Sequence, residues 1–80
     1  MVVLFLKILK HNPKFTEADR IISETTRYEK DNQHFHEMKK KLKDEKLTEE
    51  SLVHLHFALA KAYHDQKEFD TAFKNYKKAN

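Results

Sequence analysis

Residues 58–73 have the sequence ALAKAYHDQKEFDTAF, in which small alanines alternate with large aromatic residues on either side of the polar segment DQKE. Ala60 and Ala72 stand on opposite sides of that segment. Two helices approach closely only where small side chains lie between them, and a leucine at either position would overpack the contact. The stretch therefore predicts a helical hairpin in which Ala60 faces Ala72, while Tyr63 and Phe69 close the hairpin beside its corner.

Apolar residues recur at helical spacing along the rest of the chain as well. A first helix must end before Pro13, because proline disfavours helical backbone at the residue that precedes it. Thr16 is the predicted N-cap of a second helix that ends near Tyr28. A third helix is predicted over residues 34–44, and Thr48 is the predicted N-cap of a fourth. With the helix that starts at Phe69, the pattern predicts an all-α protein of about five helices joined by short polar corners.

The composition excludes several functional classes. The 80 residues include no cysteine and no glycine, so disulfide frameworks, thiolate chemistry and glycine-rich phosphate loops are not expected. The net charge is only +3, and the lysines are dispersed among 13 acidic residues, whereas nucleic-acid binders concentrate their basic residues. The opening VVLFLKIL is much shorter than the roughly 20 apolar residues of a membrane span. We expect a cytoplasmic protein with no nucleic-acid partner and no membrane partner.

The six histidines raise the question of a metal site. His54 and His56 are two residues apart on a helix, so their side chains point in nearly opposite directions and cannot share one ion. No His-Glu-x-x-His motif occurs, and His56 is expected to be partly buried. The carboxylates are not paired within an apolar segment, and Ser51 has no evident base nearby. We therefore predict no metal, no cofactor and no enzymatic activity.

Residues 53–79 resemble a tetratricopeptide repeat, a 34-residue helix–turn–helix unit that stacks into a right-handed solenoid. The positions that match the repeat, and that the resemblance assigns to packing between its helices, are Leu59, Ala60, Tyr63, Phe69, Ala72, Tyr76 and Ala79. Two positions depart from the repeat. His56 stands where tryptophan or leucine is preferred, and Lys67 replaces the usual glycine, which suggests a slightly different corner.

The resemblance divides the single domain of residues 1–80 into three parts. Residues 1–13 look like the trailing helix of a partial repeat, residues 14–46 like a degenerate repeat, and residues 47–80 like a well-matched one. The last of these also resembles the final repeat of bacterial proteins in which tetratricopeptide repeats precede a sulfotransferase domain. That resemblance implies a fragment of a larger protein whose catalytic domain lies elsewhere, because a chain without glycine cannot form the donor-binding loop.

The function that these observations imply is scaffolding or protein–protein interaction. Arg20, Arg27 and Lys61 are the candidate partner-binding residues, since a concave basic surface could clamp a carboxylate or phosphate on a peptide. An ordinary solvated face is the alternative for them, as it is for the lysine run 39–41, where an anion-binding patch is the less favoured interpretation. A structural spacer that binds no ligand is the alternative function. The apolar faces of the terminal helices predict a homodimer, or the exchange of terminal helices between two copies of the chain.

Overall fold

The computed structural model describes residues 2–44 and 46–80 and contains five helices in that part of the chain. They are α1 (Val2–His11), α2 (Thr16–Thr25), α3 (Gln33–Asp44), α4 (Glu49–Asp65) and α5 (Phe69–Ala79). No strand occurs in the described ranges, so the predicted all-α class with five helices is confirmed. None of these helices combines the length and the apolar character that crossing a bilayer requires.

The longest helix, α4, is the centre of the molecule. It packs against α5 on one side and α2 on another, and it also contacts α3, whereas α1 packs against α2. The apolar core lies mainly between α3 and α4 and consists of Tyr28, Phe35, Met38, Leu55, Ala58, Leu59 and Ala62. Tyr63 extends this core, because its ring meets that of Phe35 edge-on at a centroid distance of 5.2 Å.

Thr16 does not cap α2, contrary to the sequence prediction. It is the first residue of the helix, and the preceding Phe15 makes no capping hydrogen bond from its side chain. The Thr16 hydroxyl instead donates to the carbonyl oxygen of Ser51 at 2.7 Å, and its side chain is buried. The threonine therefore joins the start of α2 to the start of α4, a long-range role that its local sequence does not reveal.

The second helix ends at Thr25 rather than near Tyr28. The Thr26 hydroxyl donates back to the carbonyl oxygen of Ile22 at 2.7 Å, which satisfies one of the last carbonyls of the helix. Two groups from α4 then hold the extended segment that follows. The Asp65 carboxylate accepts from the backbone N–H of Tyr28 at 3.0 Å, and the Lys61 ammonium donates to the carbonyl oxygen of Thr26. These tertiary bonds replace the final helical turn that the sequence predicted.

The fourth helix begins as predicted, with Thr48 as its N-cap. The Thr48 hydroxyl oxygen accepts from the backbone N–H of Ser51 at 3.1 Å, and Glu49 and Glu50 occupy the first turn, where the helix dipole favours negative charge.

The corner between α4 and α5 has the hydrogen-bond pattern of a Schellman motif. The backbone N–H of Glu68 donates to the Tyr63 carbonyl, and that of Lys67 donates to the His64 carbonyl. Lys67 adopts a φ of 64°, in the left-handed region that glycine usually occupies. The corner thus has the geometry of a glycine corner despite the lysine, whereas the substitution had suggested a different one.

The alanines of the opening stretch are buried. Ala60 and Ala72 are 0% and 2% exposed, and they lie on two helices that pack together. Leu59 and Ala79 are also buried, while Tyr63 and Tyr76 are half-buried. Phe69 is 56% exposed, and its ring contacts that of His64. Small buried side chains therefore lie on both helices of the α4–α5 hairpin, while the predicted contact between Ala60 and Ala72 stays a prediction.

The burial pattern of α2 recurs in α4. Four buried residues of α2, Ala18, Asp19, Ile22 and Ser23, have the same spacing as four buried residues of α4, Leu55, His56, Leu59 and Ala60. The buried Thr16 of α2 and the buried Ala58 and Ala62 of α4 have no buried counterpart in the other helix. In both helices the second of the four matching positions is polar, and its side chain bonds to the following helix. Asp19 bonds to His34 and Lys41 of α3, and His56 bonds to Asn75 of α5.

Candidate functional site

A buried polar cluster joins α2 to α3. Asp19 is at its centre and is only 1% exposed. One of its carboxylate oxygens, Oδ1, lies 2.8 Å from Nε2 of His34, and the other, Oδ2, accepts from the ammonium group of Lys41 at 2.6 Å. The second ring nitrogen of His34, Nδ1, lies 2.7 Å from the hydroxyl of Tyr28. We name these four residues the Asp19 cluster.

Every polar group of the Asp19 cluster has a hydrogen-bond partner when the imidazole of His34 is neutral. A neutral imidazole can donate from Nε2 to Asp19 and accept at Nδ1 from the Tyr28 hydroxyl, so that each of these groups has a partner. The cluster then contains one carboxylate and one ammonium group and carries no net charge. That balance is significant, because His34 and Lys41 are each only 8% exposed and an uncompensated charge would be costly there.

Tyr28 does not have the properties of a nucleophile in this arrangement. Burial raises the pKa of its hydroxyl well above the ordinary value; a hydrogen bond with Thr26 lowers the pKa by less, and the negative charges of Asp19 and Asp65 make smaller contributions that raise it. The side chain is 1% exposed, so a substrate would not reach it. The chain Asp19–His34–Tyr28 thus resembles a catalytic relay in its connectivity, but its environment is that of a structural network.

The lysine run of α3 is not a uniformly solvated face. Lys41 is buried in the Asp19 cluster, and the ammonium group of Lys39 lies 4.4 Å from the centre of the Phe35 ring. Of the three, only Lys40 is exposed, and Lys39 is half-buried. The interpretation as an ordinary solvated face is therefore wrong for Lys41.

Asp19 and Ile22 share a helical face at a spacing of three, and that spacing was the one signal in the sequence that Asp19 points inward.

A cavity of about 830 Å³ lies between α1, α2 and α3, and we call it the α1–α3 cavity. Leu6, Leu9, Pro13 and Ile22 form an apolar part of its wall. The polar part includes Asp19, His34 and Lys41, so the buried cluster forms one side of the cavity. Lys10, Lys40 and Glu37 also line it, and all three are exposed.

A second depression, of about 540 Å³, lies where the ends of α2 and α4 meet the corner before α5. It is lined by Arg27, Lys61, His64, Lys67 and Phe69, together with Glu24, Thr25, Thr26 and Asp65. We call it the Arg27 groove. It brings together two of the three basic residues that the sequence nominated for partner binding, and the third, Arg20, is not among its lining residues.

Arg20 and Lys61 make contacts within the fold. The guanidinium carbon of Arg20 lies 4.2 Å from the centre of the Phe57 ring, a cation–π distance, and its Nη1 lies 3.4 Å from His54 Nδ1.

Lys61 donates to Asp65 and to the Thr26 carbonyl at 2.5 Å each. Partial burial of Asp65 acts to raise its pKa, but the bonds from Lys61 and from the Tyr28 backbone N–H outweigh it and hold the pKa below the ordinary value. Arg27 is exposed.

The histidines are dispersed among different environments. His34 belongs to the Asp19 cluster, while His56 is 8% exposed and its Nδ1 lies 2.9 Å from Oδ1 of Asn75, which confirms the expected burial of His56. Within residues 2–44 and 46–80, no three side chains of histidine, cysteine, aspartate or glutamate cluster in a way that could hold a metal ion.

No known family model, curated protein or solved structure matches this chain. The class that the fold itself defines is a small all-α protein, with five helices in the part of the chain that the structure describes.

Proposed function

We propose that the chain is a protein-interaction module of tetratricopeptide type, with helical hairpins stacked as a right-handed solenoid. The recurrence of one burial register in α2 and α4 is the observation that supports this proposal best. Helices that use the same positions for the same contacts are what a repeat protein requires, since each unit buries its apolar face against the next. The packing of α2 against α4 agrees with neighbouring first helices of two repeats.

The partner we propose is an acidic segment of another protein, bound in the Arg27 groove. Arg27 and Lys67 are both exposed there, and arginine forms strong paired hydrogen bonds with carboxylates. Phe69 lies beside them and leaves more than half of its surface accessible for an apolar side chain of the partner. Lys61 has a different role in the proposal, because its bonds to Asp65 and Thr26 hold the wall of the groove in place.

A structural spacer that binds no ligand is the second candidate. The internal contacts of Arg20 and Lys61 favour it, because two of the three nominated basic residues already have partners within the chain.

Fluorescence anisotropy with a short labelled glutamate-rich peptide that contains leucine separates the two candidates. We expect saturable binding that weakens as salt is added and weakens strongly in Arg27→Glu. Lys14→Glu is the matched control, because it makes the same change of charge at an exposed position outside the groove. Equal binding by the two variants would contradict a role for the Arg27 groove, and no binding by the parent chain would favour the spacer.

A further inference from the structure

The α1–α3 cavity combines features that the proposed interaction function does not use. Its volume of about 830 Å³ lies within the range typical of small-molecule sites. It shares only Thr26 with the lining of the Arg27 groove, so the two regions can be tested separately. Leu6 is 41% exposed, and together with Leu9 and Pro13 it gives the cavity an apolar wall that an aliphatic chain could cover.

The charge on the opposite wall is positive once internal pairing is taken into account. The carboxylate of Asp19 is occupied by Lys41 and His34, so it does not repel an anion as a free carboxylate would. Of the remaining charged lining residues, Lys10 and Lys40 are exposed cations and Glu37 is the exposed anion. The start of α3 at Gln33 also lines the cavity and adds the positive end of a helix dipole.

We propose that the α1–α3 cavity binds a small amphiphilic anion, namely a carboxylate on an aliphatic chain. The aliphatic chain of the ligand lies along Leu6 and Leu9, and its carboxylate pairs with Lys10 and Lys40. The Asp19 cluster holds α2 and α3 apart, because a buried carboxylate, imidazole and ammonium group occupy the space between them that alanines would close. The cluster is thus a positioning element of the site, and it need not contact the ligand.

Titration with dodecanoate below its micelle concentration tests the proposal, with binding followed by calorimetry and by amide chemical shifts. We expect one saturable site per chain, with shifts at Leu9 and Gln33. Dodecanol, which has the same chain without the charge, should bind at least about tenfold more weakly, since a hydrogen bond to a charged group is typically worth that factor.

Variants of the exposed lysines assign the site. Lys40→Gln combined with Lys10→Gln should weaken dodecanoate binding by about tenfold or more, whereas Lys43→Gln should leave it unchanged, because Lys43 is exposed on the same helix but does not line the cavity. Leu6→Gln should weaken the binding of the ligand's aliphatic chain without changing the preference for dodecanoate over dodecanol. Circular dichroism of each variant establishes that the fold is retained.

Three results would overturn the proposal: no saturable binding, equal binding of dodecanoate and dodecanol, or equal effects of the Lys10/Lys40 and Lys43 changes. Vesicles of phosphatidylcholine and phosphatidylserine distinguish the source of the ligand. Binding to vesicles without binding to monomeric dodecanoate would also overturn it, because it would indicate adsorption to a charged lipid surface. These results do not depend on the acidic peptide, so failure of either proposal leaves the other intact.

Discussion

Replacement of Asp19 by alanine tests how strongly the buried cluster supports the fold. Asp19 is 1% exposed and accepts from both Lys41 and His34, so its removal leaves an ammonium group without its counter-ion in a site where Lys41 is 8% exposed. Breaking a buried ion pair by deleting one partner typically costs about 3–5 kcal/mol. The total stability expected for 80 residues is about 4–12 kcal/mol. Asp19→Ala should therefore lose a large fraction of the free energy of unfolding.

Urea unfolding followed by far-ultraviolet circular dichroism measures this loss. The double variant Asp19→Leu/Lys41→Met removes both charges and keeps most of the volume, so it should recover most of the stability. The double variant should not recover all of the lost stability, because the Nε2–H group of His34 loses the carboxylate that accepts its hydrogen bond, which costs about 1–3 kcal/mol. Glu17→Ala is the control on the same helix. It is exposed and should change stability by no more than about 0.5 kcal/mol.

A loss of less than about 1 kcal/mol in Asp19→Ala, which is the range of exposed ion pairs, would contradict a supporting role for the buried pair. Simple addition of the effects of Asp19→Leu and Lys41→Met in the double variant would contradict it as well, because two partners in one buried pair must show coupling.

Four further predictions follow from the packing. Ala60→Leu should lower stability by about 1–3 kcal/mol through overpacking at the α4–α5 contact, whereas Lys74→Leu on the exposed face of α5 should have little effect in the same urea assay. Lys67→Gly should raise the urea midpoint, because a non-glycine residue at a φ of 64° is strained by about 1 kcal/mol; an unchanged or lower midpoint would argue against the left-handed corner. Asp65 has a folded pKa below its ordinary value of 3.8, so its contribution to the free energy of unfolding is present above the unfolded pKa and is lost as the pH falls through the folded pKa. Asp65→Asn should accordingly lose less stability than the parent chain across that acid range. Identical acid-unfolding profiles would contradict the pairing of Asp65 with Lys61. Val3 on α1 and Phe73 on α5 are 66% and 64% exposed, and we predict that these faces support a homodimer. Phe73→Ser should weaken that homodimer, and sedimentation that shows only monomer at high micromolar concentration would count against the homodimer.

The helices were largely predictable because their signals are local. Pro13 marks the end of α1, the hydroxyl of Thr48 caps α4, and the spacing of apolar residues gives the bounds of α3 and α5 to within a residue or so. The alanines of residues 58–73 likewise indicated a close helical contact, because the size of a side chain limits the distance between two helices whatever else surrounds them.

The bonds between distant residues were not predictable, because their partners are far apart along the chain. The hydroxyl of Thr16 has the local context of an N-cap, yet it donates to the Ser51 carbonyl 35 residues away. The early end of α2 depends on Asp65 and Lys61, which lie more than 30 residues further on.

The candidate sites were only partly predictable for the same reason. Arg27 and Lys61 were nominated as basic residues, and the fold brings them into one groove. Lys41 is one of three consecutive lysines, and nothing in that run distinguishes the one that reaches Asp19. Charge and composition indicate which residues could bind a partner, whereas burial decides which of them are already used by the fold.

Amide chemical shifts of the labelled chain during titration with a glutamate-rich peptide test the proposed interaction function most directly. We predict perturbations at Arg27, Lys67 and Phe69, with Lys61 and Asp65 retaining their mutual contact, and we expect Arg27→Glu to abolish the perturbations. An unchanged spectrum, or perturbations elsewhere that persist in Arg27→Glu, would contradict it.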